Sequence, residues 1–369
     1  MPANSDIGGN GGDGGYLRHQ YPLIAESLIW PELVKSFNFH EHHAKEMKTT
    51  SRRHSFFAIT CIVASLSVTW ATTSSYFVKT LTDQPQLQVT LALASLLLLL
   101  AAIGLGKGIL FGRRREQWLR HRLAAERLRQ FYFQFLLKHR ALICGGSEDD
   151  LQHLEAERAI ALERVNKDVS ALVYKQTVLN DTQLEEAALV ERELLNAGED
   201  LRRDRLDELR RFWREFRFSW QIEYATEQNM RQPSPLPIFG TIADQEHSVS
   251  TLEFVATLAI VSLHCLAVAG QLLGTQAAGV VSTAVLAASL FAIAIVGLQA
   301  YRDGVGLTED LSRNRVYASY TSKLLRDLEH AQRNADLPAE IHIMYEMEDL
   351  AYFEMREFLQ THSEARFSL

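Results

Sequence analysis

Four stretches of this chain carry almost no charge, and each is long enough to cross a lipid bilayer. They are SFFAITCIVASLSVTWATTSSYFV (55–78), LQVTLALASLLLLLAAIGLGKGILF (87–111), TLEFVATLAIVSLHCLAVAGQLL (251–273) and AAGVVSTAVLAASLFAIAIVGL (277–298). A helix needs about 20 apolar residues to span a hydrocarbon core. In lipid the backbone must satisfy its own hydrogen bonds, so runs of this kind are expected to be helical. The runs come in two pairs. Residues 79–86, with Pro85, join the first pair, and Gly-Thr-Gln joins the second. Each pair is expected to form a tight hairpin. Soluble cores seldom carry four such runs in one chain. The expected fold class is therefore all-α: an integral membrane protein with four transmembrane helices in two hairpins, plus cytoplasmic helical regions.

Outside these runs the sequence changes character. The 369 residues have a formal net charge of −7, and nearly all the charge lies between and after the hairpins. A weakly acidic chain argues against nucleic acid as a partner, because neutralising phosphates needs a basic domain. Lys45, Lys48, Arg52 and Arg53 precede the first hairpin, Arg113, Arg114 and Arg115 follow it, and its turn carries only Lys79. The second hairpin has an uncharged turn and is followed by Arg302. The positive-inside rule then places both turns outside, and both termini and the middle region in the cytoplasm, at the inner (plasma) membrane. The start, MPANSDIGGNGGDGG, lacks the apolar core of a signal peptide. The three cysteines, Cys61, Cys144 and Cys265, have no metal or redox spacing.

These patterns divide the chain as follows. Residues 1–20 read as a disordered Gly-rich N-terminus, 21–54 as a cytoplasmic juxtamembrane helix and 55–111 as transmembrane hairpin 1. Residues 112–232 read as a cytoplasmic helical domain and 233–249 as a Pro-rich linker. Residues 250–299 read as transmembrane hairpin 2, and 300–369 as C-terminal cytoplasmic helices. Within the cytoplasmic domain, breaks are expected at Gly145-Gly146, at Asn180-Asp181 and near Gly198, with Ser147 as an N-cap. Residues 201–230 form an amphipathic, heavily charged helix. Residues 113–140 are basic and 141–200 acidic. These faces either pair with each other in solution or build a bundled stalk. The order hairpin then polar helix occurs twice, which suggests an internal duplication.

One stretch carries the most specific signal: GRRREQWLRHRLAAERLRQFYFQFL (112–136). On a helix, Ala124, Leu128, Phe131 and Phe135 share one face. That stripe is expected to pack inward or into the lipid interface, with the arginines meeting anionic headgroups. Trp118, Arg122 and Glu126 follow at intervals of four, so Arg122 and Glu126 can pair, and a surface pair of this kind contributes only a few tenths of a kcal/mol. A two-helix membrane hairpin followed at once by W-x3-R-x-x-A-E-R-L resembles the SLATT group, the two-transmembrane effector domains associated with SMODS and SLOG proteins. Trp118, Arg122, Ala125, Glu126 and Leu128 carry the resemblance, which covers residues 40–140. It implies a prokaryotic conflict system in which a nucleotide signal or a sensor protein triggers a pore-forming effector. The chain departs from that pattern in two ways. The second hairpin is followed by Glu309, Arg313 and Tyr317 at similar spacing but of different chemistry, and no nucleotide-sensing domain is fused to the chain.

Within the membrane runs, polar groups are the other candidates. Ser65 and Thr69 belong to an unusually polar first segment, and His264 lies in the middle of the third. Such groups either bond neighbouring helices or line a wet path once subunits assemble. Ala278 and Ser282, then Ala284, Ala288 and Ala292, are small residues at four-residue spacing that suit close helix approach. HEHHAKE (40–46) lacks HExxH spacing, because Ala44 stands where the second histidine belongs. No nucleophile elbow, phosphate loop or Cys/His set is present. The expectation is a non-enzymatic, homo-oligomeric membrane effector without cofactor or metal, its partners the bilayer and a nucleotide signal or sensor protein. The alternative is a non-conducting membrane scaffold or sensor whose cytoplasmic helices recruit a soluble partner.

Overall fold

The computed structural model describes residues 7, 14–73, 84–106, 109–174, 201–230, 240–272 and 278–364. Among them there are helices and no strands. The helices are α1 (Gly15–Gln20), α2 (Ala25–Leu28), α3 (Pro31–Thr73), α4 (Pro85–Gly106), α5 (Ile109–Lys138), α6 (Arg140–Gly145) and α7 (Glu148–Tyr174). Next come α8 (Arg203–Phe212), a π-helical segment (Trp213–Ser219) and α9 (Trp220–Asn229). Then follow α10 (Ile242–Leu272), α11 (Ala278–Val305), α12 (Leu307–Arg333) and α13 (Leu337–Glu364). The chain is an all-α, multi-pass membrane protein: α3, α4, α10 and α11 are long and apolar enough to cross a bilayer. It divides into two compact units.

The first unit comprises Met1–Glu46, Gln117–Asn229 and Leu311–Gln360. Its core is strongly aromatic. Phe212 stacks on Phe216 at 4.9 Å, Phe133 meets Trp213 edge-on at 5.4 Å, and Tyr21 meets Phe212 at 5.6 Å. The π-helical segment explains how one strip of chain supplies so much of this core. Phe212, Trp213, Phe216, Arg217, Phe218 and Trp220 are all buried. At 3.6 residues per turn five of them would already share one face, and the wider π turn brings Phe218 round toward that face. The same segment offers Glu215, which accepts hydrogen bonds from Tyr16 and Tyr21, each at 2.5 Å. The Glu215 hydrogen bond, helped by burial, pushes Tyr16 up to about 12.

Helix ends in this unit are closed by side chains. Ser147 caps α7 as expected: its Oγ accepts from Asp150 N at 3.1 Å, and the Asp150 carboxylate accepts from Ser147 N at 2.9 Å. Gly146 stands just before it with φ +71, and a Cβ there would lie 1.6 Å from Arg205 Nη1. The left-handed conformation is what favours glycine there, since the Arg205 tip can swing aside. The Arg158 guanidinium donates to the carbonyls of Glu26, Ser27 and Ile29 at the end of α2, where a cation suits the helix dipole. Asp336 opens α13, its Oδ1 accepting from Ala339 N at 3.1 Å. The expected breaks at Asn180-Asp181 and near Gly198 lie outside the described residues, as does most of the Gly-rich N-terminus.

The second unit comprises Met47–Glu116, Met230–Asp310 and Thr361–Leu369. Its helices pack through small and hydroxyl side chains. Ala256, Ala267, Ala284 and Ala288 are buried. A Cβ on Gly297 of α11 would lie 2.4 Å from Val63 Cγ2 of α3, so the glycine sets how closely these helices approach. Near one end, Arg302 pairs with Glu253 at 2.8 Å, while Val249, Tyr301, Val305 and Leu307 pack together. The large apolar side chains face outward: Leu97 is 65 % exposed, Phe254 69 % and Leu272 84 %. An apolar surface of this extent is a lipid-facing one.

Two boundaries differ from the sequence reading. The first membrane run is not preceded by a separate helix over 21–54; α2 ends at Leu28, and a single helix runs from Pro31 to Thr73. Proline at the first helical position is favourable, because its missing N–H would have no partner there. The linker read over 233–249 overlaps α10, which begins at Ile242. Thr241 and Asp244 cap that start reciprocally, Asp244 N donating to Thr241 Oγ1 and Thr241 N to Asp244 Oδ2, each at 3.2 Å. The reading missed this box because it lies upstream of the apolar run. Residues 231–239, with all three prolines, lie outside the described residues.

Candidate functional site

The site grows from α5. Helix periodicity puts Trp118, Arg122 and Glu126 on one ridge, and in the folded unit that ridge points inward. Glu126 is 5 % exposed and Trp118 6 %. Arg122 reaches Glu41 of α3 at 3.1 Å and Glu126 at 3.6 Å. The stronger partner of Glu126 is Arg129, one turn further along α5. The expectation of a solvated Arg122–Glu126 surface pair is therefore corrected: the pair is one edge of a buried cluster.

Two further ion pairs complete that cluster. Arg217, from the π-helical segment, holds Glu348 of α13 through two bonds of 2.6 and 2.8 Å, both side chains being buried. Arg313 of α12 donates to Glu354 of α13 at 3.0 Å. These contacts match four guanidinium groups (Arg122, Arg129, Arg217, Arg313) to four carboxylates (Glu41, Glu126, Glu348, Glu354). Glu126 is their electrostatic centre. Burial would raise its carboxyl, yet Arg129, Arg122 and Arg217 together hold it below the usual range. Burial pushes Glu348 up to about 7, against the pull of Arg217. Burial also raises Glu354 against the pull of Arg313. Arg217 itself loses solvation but is raised, because Glu348 more than offsets that loss. The bidentate geometry favours the charged form of the Arg217–Glu348 pair. Tyr317 of α12 is raised by burial among the same groups.

Aromatic rings fasten the rim. Trp118 meets Phe358 of α13 edge-on at 5.7 Å. The Arg313 guanidinium lies 4.8 Å over the other part of this contact, the Phe358 ring, and Arg127 lies 5.5 Å from the Tyr352 ring. Helices α5 and α12, each following a hairpin in sequence, thus meet the same stretch of α13. Arg313 and Tyr317 were visible in the sequence at the spacing of the α5 series. Arg217, Glu348 and Glu354 were not, because their partners lie more than 40 residues away.

Arg120, Arg122, Arg127 and Arg129 are placed differently from the expectation that they meet headgroups; the side chains of Arg113, Arg114 and Arg115 lie outside the described residues. Arg120 and Arg129 are buried, Arg122 and Arg127 half-buried. The apolar stripe packs inward, with Ala124 and Leu128 fully buried and Phe135 tilted against Trp30 at 4.9 Å. Arg158 from α7 covers the other side of Trp30 at 5.2 Å. Arg122 is drawn in by Glu41 of α3 and by Glu126, Arg129 by Glu126, Arg120 by the Val173 carbonyl and Arg127 by the Tyr352 ring, and of these partners only Glu126 lies within reach of a local pattern.

In the membrane unit, the Ser65 and Ser95 hydroxyls lie 2.9 Å apart, and each is within donating distance of the other's carbonyl, at 2.9 and 3.1 Å, so two protons serve these three contacts. Thr69 joins Ser95 at 2.7 Å. This is a hydroxyl clasp between α3 and α4. His264 is exposed, and its Nδ1 donates to the Ile260 carbonyl of its own helix at 2.9 Å. The structure therefore brings Ser65 and Thr69 together and leaves His264 on the outer face. Among the described residues, no group of three or more His, Cys, Asp or Glu side chains is placed to hold a metal ion. No protein-family profile, curated protein or solved structure matches the chain.

Proposed function

We propose that the protein is an oligomeric membrane effector. Its charged helical unit responds to a cytoplasmic signal, and its membrane helices then perturb or permeabilise the inner membrane. The observation that carries this reading is the shared anchorage of α5 and α12 on α13. Each of these helices continues a membrane hairpin in sequence, and both place side chains in one buried ion cluster. Breaking one partner of a buried pair costs about 3–5 kcal/mol, so such a cluster favours discrete arrangements over gradual ones. In this reading the intact cluster holds the resting state, and Glu126 is its hub. The SLATT resemblance supplies the setting, a prokaryotic anti-phage type conflict system, and the class of trigger, a nucleotide second messenger or a separate sensor protein. The test is ion or dye leakage from liposomes carrying the full-length protein, with and without nucleotide second messengers. Leakage that rises with a trigger supports the proposal, and its absence with every such trigger overturns it.

A second reading draws on the hydroxyl clasp. Ser65 and Thr69 are engaged with Ser95 inside the bundle, and His264 faces outward, which suits a non-conducting anchor whose helical unit recruits a soluble partner. The two readings separate in cells. An effector depolarises the membrane on overexpression, and Ser65→Ala, Thr69→Ala or His264→Ala alters that effect. An anchor tolerates these changes and loses function when its acidic helices are deleted.

A further inference from the structure

The HEHHAKE stretch holds no metal motif, yet two of its histidines meet a third across a helix crossing. His40 and His43 lie on α3 and His121 on α5, all within the first unit. His40 Nδ1 stands 3.0 Å from His121 Nδ1. The His43 ring stacks on His121, centroids 5.2 Å apart and planes 20° apart. Phe39 packs against all three rings, at 5.1, 4.3 and 6.2 Å from His40, His43 and His121.

This geometry sets a proton count. The bond between His40 and His121 needs one ring to donate and the other to accept. A proton added to the accepting nitrogen removes the acceptor and leaves two N–H groups facing each other, and charging the second ring as well places two cations side by side. His43 Nδ1 donates to the Phe39 carbonyl at 2.7 Å, so its ring stays fixed over His121. A charge on His43 would therefore face a charged His121 directly. Burial and the other histidines are what lower His40 and His121. The neighbouring Glu41, on α3, is held at 3.1 Å by Arg122 of α5. Tyr224 of α9 and Glu354 of α13 act on Arg122 from beyond that pair.

We propose that His40, His43 and His121 form an acid-released latch between α3 and α5, closed while the rings are neutral and opened when more than one is charged. It acts on the contact that joins Glu41 to Arg122, and so on the edge of the ion cluster. The direction of the pH effect follows from burial. Burial, with the other two histidines, holds His40 down at about 4, and burial with His43 lowers His121. A histidine unfolds to an ordinary value of about 6.5. The folded state then binds fewer protons than the unfolded one in the interval between. Stability from the stack is fully present above about pH 6.5 and is lost as pH falls toward 4.

Ring-nitrogen NMR on the full-length protein, labelled at histidine and held in lipid nanodiscs, reads each titration directly. The latch requires the His40 ring to stay neutral at pH 5, where an ordinary imidazole is mostly charged, and His121 to titrate below 6.5. The accompanying variant is His40→Asn/His121→Asn, whose amides keep a single-proton hydrogen bond but cannot titrate. Its thermal midpoint should lose most of the fall that the wild type shows between pH 6.5 and 4. His40 and His121 both titrating near 6.5, or an unchanged pH profile in the double variant, would overturn the latch. If the double variant does not fold, the wild-type ring titrations decide alone. Neither readout measures conductance, so the latch and the effector reading fail separately.

Discussion

In the unit built on α5, α12 and α13, charge is inside. Arg217 is 0 % exposed and Glu348 2 %, and the groups around them are paired. In the unit built on the four apolar helices, large apolar side chains are outside, and alanine, glycine and serine are prominent among the residues buried along the apolar spans. Each unit is ordered by what its surroundings fail to solvate. Water does not solvate apolar side chains, so the first unit has an aromatic core, and its buried ions are met by counter-ions, as Arg217 is by Glu348, or by backbone carbonyls, as Arg158 is. Lipid does not solvate polar groups, so in the second the hydroxyls of Ser65, Thr69 and Ser95 turn toward each other. The same residue type therefore has opposite meanings in the two places.

Removing one partner of the buried pair gives the largest expected effect. Arg217→Ala strands Glu348 and should destabilise the first unit by about 3–5 kcal/mol. Arg217→Met/Glu348→Leu, which removes both charges, should recover most of that loss. Chemical denaturation followed by tryptophan fluorescence measures both, and a double variant as unstable as the single one would show that the charges do more than neutralise each other.

The comparison itself is tested most sharply by one substitution made twice. Ile160 of α7 and Val261 of α10 are 58 % and 54 % exposed. Val261→Asp should cost about 2.5–3.5 kcal/mol of membrane insertion. Ile160→Asp, facing water, should change stability by less than about 0.5 kcal/mol. Glycosylation-reporter insertion assays and thermal melts compare them, and equal tolerance of both would remove the lipid-facing assignment of α10. Gly297→Ala tests the packing between membrane helices. Its Cβ would meet Val63 at 2.4 Å, so a loss of about 1–3 kcal/mol is expected in detergent unfolding, partly restored by Val63→Ala. Smallest is Ser95→Ala, which opens the clasp. Hydrogen bonds between membrane helices average about 0.6 kcal/mol, so a fall much larger than that would mark Ser95 as more than a packing residue.

How much of this was legible depends on the range of the interactions. The membrane helices announce themselves because each satisfies its backbone locally and needs only apolar length. Ser147 and Asp150 could be read because a cap spans three residues. Trp118, Arg122 and Glu126 could be singled out by spacing, but whether that ridge faced lipid, water or protein was not local information. It depends on Glu41, 81 residues upstream of Arg122, and on α13, which lies beyond the second hairpin. The π-helical widening at Trp213–Ser219 was hidden for a related reason: its sequence reads as an ordinary amphipathic helix until the core it fills is known.

The central claim is that the ion cluster sets the state of the membrane helices, and Glu126→Gln addresses it directly. The amide keeps the shape of the side chain and removes the charge that Arg122, Arg129 and Arg217 share. The measurement is membrane potential, by a voltage-sensitive dye, in cells expressing wild type or variant at equal membrane abundance, with the exposed Glu309→Gln as control. The account predicts that Glu126→Gln depolarises cells without any trigger, while wild type and Glu309→Gln leave the potential as it was. A Glu126→Gln protein that is present in the membrane and leaves the potential unchanged would contradict it.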